Sequence, residues 1–184
     1  MRLRSAILPL LVVISLGAFS NAQQQTVWTP QAIHDLQQSA TSKSGFTFDH
    51  SMLVFASKLE PNDADLRRVI AGVSGISVQN YRFQSPAQYD LSELDSVNAQ
   101  YRAAGWKQLM NKHHNNAGSG TTDLWVRLEN NAISNVAILL ARPNEVSFVA
   151  ISGSISPADL SHLSGHFGIP TIEGGVVVPN PSTR

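Results

Sequence analysis

The chain has 184 residues, with 13 Lys+Arg balanced by 13 Asp+Glu and no cysteine. A neutral surface argues against nucleic acid, which proteins meet with clustered positive charge. The missing thiols exclude a disulfide framework, a thiolate metal cluster, a cysteine nucleophile and a lipoprotein anchor.

Met1-Arg2-Leu3-Arg4 is a basic lead, and Ala6 to Ala18 is almost uninterrupted apolar sequence closing on Ser20-Asn21-Ala22. That pattern is a secretory signal peptide over residues 1–22, because an apolar run of about 13 residues is too short for a hydrocarbon core of roughly 30 Å. Cleavage after Ala22 removes two arginines and leaves 11 Lys+Arg against 13 Asp+Glu. The expected product is periplasmic or secreted and not membrane-spanning. Residues 23–45 form an N-terminal segment in which Thr29-Pro30, Ile33 and Leu36 suggest a short helix.

A single domain is expected over 46–168, a size that buries a core without disulfide or metal staples. Phe46 and Phe48 alternate as in a strand, Met52 to Leu59 follows helical spacing, and Leu66, Val69, Ile70 and Val73 mark a second helix after Asp63. Ile76 to Phe83 reads as a strand whose apolar phase slips between Val78 and Tyr81, as a bulge would produce. Ser85-Pro86 restarts helix, with Leu91, Leu94, Val97 and Tyr101 along one side. Strands follow at Trp106 to Met110, at Leu124 to Leu128, at Ile133 to Ala141 with both faces apolar, and at Val146 to Ile151. Asn130-Asn131 is the tight turn between the second and third of these, since asparagine tolerates positive φ. Ser156-Pro157-Ala158-Asp159 combines an N-cap, a proline at the first helical position and an acid for a capping box. Residues 169–184, rich in Gly and Pro, read as a flexible tail.

The order β-α-β-α, then an antiparallel meander and a closing helix, predicts an α+β fold. Its sheet should be mixed but mostly antiparallel, with helices on one face and the other face open to solvent or to a ligand.

Site chemistry is sparse. His162 and His166 have the i, i+4 spacing that puts two imidazoles on one helix face, although Gly165 should end the helix first. His113 and His114 lie in a polar stretch that reads either as a chelating pair or as a solvated hairpin tip. Gly118-Ser119-Gly120-Thr121-Thr122 lacks the lysine and helix of a phosphate loop. The carboxylates Asp49, Asp63, Asp65, Asp90, Glu93 and Asp95 fall at helix starts, where the macrodipole favours them. Trp125 is opposite in phase to Leu124, Val126 and Leu128, so it is either a core residue or, with Arg127, a contact anchor on the open sheet face.

The Leu66-to-Ile70 helix leading to Gly75-Ile76-Ser77-Val78, the Gly105-to-Met110 strand, Leu124 to Leu128, Val136 to Leu140, and Val149 to Ile155 together resemble the small exported bacterial proteins of domain of unknown function 4252. The resemblance covers about Phe46 to Leu163 and brings no catalytic residues with it. It implies an envelope protein with a sensing or interaction role, and the absent cysteine sets this chain apart from anchored relatives. The sequence therefore favours a non-catalytic binding domain with an envelope protein partner and no cofactor. The alternative is a metal- or small-ligand-binding enzyme using His113, His114, His162 or His166.

Overall fold

A computed structural model describes residues 28–60, 62–84, 91–114, 120–169, 171–173 and 176–178. The signal-peptide segment, Ser85-Pro86 with Asp90, residues 115–119 and most of the C-terminal tail lie outside these residues.

The chain begins with helix α1 (Gln31–Ser39) and strand β1 (Ser42–Asp49), then two helices, α2 (His50–Ser57) and α3 (Ala64–Gly72). Strand β2 (Val73–Arg82) and helix α4 (Leu91–Ala103) lead to β3 (Lys107–His114), β4 (Gly120–Glu129), β5 (Ala132–Arg142) and β6 (Glu145–Ile155). Helix α5 (Pro157–Leu163) and the small hairpin β7 (Thr171–Glu173) and β8 (Val176–Val178) follow. None of the described helices is long and apolar enough to cross a membrane.

Local chemistry accounts for the boundaries. Asp49 caps α2 by accepting Met52 N at 2.9 Å, and Asp63 caps α3 by accepting Leu66 N at 2.8 Å. Ser156 and Asp159 close a reciprocal capping box on α5, with Asp159 Oδ2 accepting Ser156 N at 2.7 Å. Asn130 and Asn131 turn β4 into β5 with φ of 50° and 65°, the left-handed pair that a two-residue hairpin requires.

Strands β1 to β6 form one sheet in the order β1-β2-β6-β5-β4-β3, and every pairing is antiparallel. The α+β class is as expected, whereas the parallel component and the one-sided helix layer are not. Leu53 of α2, Leu66 and Ile70 of α3, and Leu160 and Leu163 of α5 bury one face, against Ile76, Val136, Ile138 and Val149. Ile33 and Leu36 of α1, with Leu94, Val97 and Tyr101 of α4, bury the other, against Trp125, Ala137, Leu139 and Phe148. The sheet is the middle of three layers, which is why β5 is apolar on both faces.

The same layering corrects the reading of β2. Ile76 and Val78 face one core and Tyr81 the other, so the apparent phase slip is a change of buried face along a regular ladder from Ile76 to Arg82. The irregularity lies earlier, between Val73 and Gly75.

A cleft at the irregular end of the sheet

The two residues proposed from sequence as a contact pair part company. Trp125 is 1% exposed, its ring stacks on Tyr101 at 5.5 Å, and its Nε1 donates to Asn98 Oδ1 at 3.2 Å. It packs beneath α4 and is no surface anchor. Arg127, two residues on, has passed the end of that helix cover and is exposed, with Nε 3.3 Å from Glu129 Oε1.

Arg127 and Glu129 line an open cleft of about 560 Å³ together with Trp28, Trp106, Asn135 and Ser154. Three breaks in the hydrogen-bond ladder make this end of the sheet irregular. The β4–β5 register shifts between Arg127 and Leu128, the β5–β6 register between Ile133 and Asn135, and the β2–β6 register between Val73 and Gly75. Opposite the last of these, Gly153 takes φ of 139°, and a Cβ there would lie 2.2 Å from Gly72 O. Bulges bend strands and re-aim side chains, and here they turn Arg127, Ser134, Asn135 and Ser154 toward one space.

An aromatic cluster floors the cleft. Trp28 is 42% exposed and lies 6.4 Å from Trp106 and 5.6 Å from Tyr101, measured between ring centroids. Trp106 is buried, and its Nε1 has no hydrogen-bond partner among the described residues. Burial pushes the Tyr101 hydroxyl far above its ordinary pKa, so it stays protonated behind the two tryptophans. Arg102 reaches over Trp125 at 5.4 Å and donates to Gln108 Oε1 at 3.0 Å. Gln108 and Asn111 in turn donate to the buried Asp123 carboxylate at 2.8 and 2.7 Å. Asp123 follows two threonines at the polar start of β4, and nothing local marks it: its burial depends on Gln108 and Asn111 of the neighbouring strand.

The histidines separate as well. Helix α5 ends at Leu163 and Gly165 takes φ of 82°, so His166 leaves the helix and forms no i, i+4 pair with the exposed His162. His166 Nδ1 lies instead 3.7 Å from Glu60 Oε2, and Asp63 completes a group of three metal-ligand side chains. His113 and His114 end β3, paired with Thr121 and Gly120, and their side chains lie outside the described set. On the outer surface Met52, Phe55 and Leu59 leave an apolar stripe along α2 and its C-terminal turn.

The model of the family described as domain of unknown function (DUF4252) matches residues 41–163, from the start of β1 to the end of α5. The chain belongs to this family. The DUF4252 match takes in Trp106, Arg127, Glu129, Glu60 and Asp63, and leaves Trp28 and His166 on the flanking segments. A solved structure of a protein of unknown function from Pseudomonas aeruginosa, described as a candidate regulator, is similar at 14% identity over 60% of this chain and 76% of its own, with a TM-score of 0.33. No curated protein matches the chain.

Proposed function

We propose that this DUF4252 protein is an exported bacterial envelope protein that acts as a non-catalytic binding module. The basic lead and short apolar run of residues 1–22 support export to the periplasm or beyond. The observation that carries the binding reading is the convergence of three ladder breaks on one aromatic-floored cleft. Ladder irregularity is costly, and three of the four register shifts among the sheet's described residues border this space, the fourth lying between Gln108 and Met110 on β3. Trp28 offers an exposed ring, while Arg127, Glu129, Asn130 and Asn135 offer planar hydrogen-bonding groups around it. The ligand that fits is small, with an apolar ring face and a polar edge, as in a saccharide. Arg127 and Glu129 engage each other, an arrangement for holding a polar edge rather than for moving protons.

The test is quenching of tryptophan fluorescence on titration with soluble envelope saccharides. Binding should weaken at least roughly tenfold in Trp28→Ala and in Arg127→Ala, with an unchanged unfolding midpoint in Arg127→Ala. Saturable binding that ignores both substitutions would remove the cleft from the reading. An envelope protein partner is supported by the apolar α2 stripe, and Phe55→Ser should then abolish a periplasmic crosslink that Arg127→Ala leaves intact.

A further inference from the structure

The turn between α2 and α3 meets the turn after α5 around three donor side chains that are distant in sequence. One atom each from Glu60, Asp63 and His166 lies within 4.8 Å of the other two. The 3.7 Å between Glu60 Oε2 and His166 Nδ1 is too long for a hydrogen bond. It is close to the roughly 3.4 Å that separates two donors sharing a tetrahedral zinc ion at about 2.1 Å.

Backbone contacts fix the two turns that carry the donors. Asp63 Oδ1 is fixed by its cap to Leu66 N, and Glu60 O accepts Asp63 N at 3.2 Å and Arg67 Nη1 at 3.3 Å. His166 sits in a turn closed by Ile169 N to His166 O at 2.8 Å and Gly165 N to Ile169 O at 3.1 Å. The neighbouring Phe167 ring anchors that turn on Phe48 at 5.5 Å. Its φ of 49°, rare for an aromatic residue, places His166 and Phe167 on their respective partners.

We propose that Glu60, Asp63 and His166 form a three-ligand site for a divalent transition cation of the zinc class, tying the α2–α3 turn to the turn after α5. One imidazole and two carboxylates suit such an ion, with solvent as the fourth ligand. The imidazole nitrogen selects against calcium and magnesium, which take oxygen ligands.

The test is calorimetric titration of the chelator-stripped full chain with zinc chloride, and with calcium chloride in parallel. Zinc should bind at one equivalent and calcium should not. Glu60→Gln, Asp63→Asn and His166→Ala should each weaken zinc at least roughly tenfold, while a His113→Ala/His114→Ala/His162→Ala variant should bind as the parent does. Asparagine caps a helix as well as aspartate, so Asp63→Asn with unchanged circular dichroism reports the ligand and not the fold. Zinc binding that survives Glu60→Gln and His166→Ala but is lost in the triple variant would assign the metal to the other histidines and overturn the proposal. So would a parent chain that takes up no zinc.

Discussion

Replacing Trp125 by alanine decides whether that side chain belongs to the core or to a contact surface, because the two assignments differ by several kcal/mol. The ring is 1% exposed, stacked on Tyr101 with an interplanar angle of 16°, capped by Arg102 and hydrogen-bonded to the buried Asn98. Truncating a buried Trp costs about 3–5 kcal/mol when the site relaxes only in part. Leaving Asn98 Oδ1 without its donor adds about 1 kcal/mol. A loss of about 4–6 kcal/mol is a large share of the roughly 5–15 kcal/mol that holds a domain together. At about 2–4 °C per kcal/mol for a chain of this size, the unfolding midpoint should fall by roughly 10–20 °C. Urea unfolding followed by far-ultraviolet circular dichroism measures the change directly. Trp125→Phe keeps an aromatic ring on Tyr101 but loses the Nε1 bond and part of the buried ring volume, so it should cost less than alanine. If Trp125→Ala stayed within about 1 kcal/mol of the parent while losing ligand or partner binding, the packing argument would be refuted.

Gly153→Ala should destabilise by more than about 2 kcal/mol and weaken cleft binding, because φ of 139° is closed to other residues and the new Cβ would meet Gly72 O at 2.2 Å. Gly105→Ala, with φ of 80° but open space around it, should cost only about 1 kcal/mol under the same urea assay and leave binding alone. Ser156→Ala removes half of the α5 capping box and should cost about 1 kcal/mol near neutral pH. Burial works to raise the Asp159 pKa, but the hydrogen bonds from Ser156, aided by the charges of Arg68 and His162, outweigh it and hold the group below its ordinary value of 3.8. A depressed carboxylate contributes stability that is present above its unfolded-state pKa and lost as pH falls through the folded value. The gap between parent and Ser156→Ala midpoints should therefore be widest near neutral pH and close on acidification; a gap constant with pH would show that Asp159 ionisation does not contribute.

The features legible in the sequence are those fixed within a few residues. Ser156-Pro157-Ala158-Asp159 satisfies its own helix end, and Asn130-Asn131 supplies both left-handed residues of its turn, so neither depends on what packs nearby. The central position of β5 was legible too, since only a strand covered on both sides carries Val136 to Leu140 without a polar residue. That observation already implied two helix layers. The short α1 concealed the second one, because its three buried residues gain their meaning only from α4 and the far sheet face. With that layer overlooked, the phase change in β2 looked like a bulge and Trp125 looked able to face solvent.

The candidate sites were hidden for a related reason. Periodicity reports which face of an element is apolar, but a cleft or a ligand set depends on which ends of different elements meet. Residues 60 and 63 reach residue 166 only because α3 packs on α5 and Gly165 turns the chain out of its helix. The cleft likewise needs Trp28 from ahead of α1 beside the ends of β4, β5 and β6, and the ladder breaks that shape it lie between strand partners. Gly153 and Gly75 were the local traces: a glycine inside a strand marks a bulge or a close backbone approach, and at Gly153 it marks both. Because that approach sets the spacing of β2 and β6 beneath Ser154, packing strain and ligand space are coupled at Gly153. A substitution there should change binding and stability together, whereas Arg127 at the rim can change binding alone.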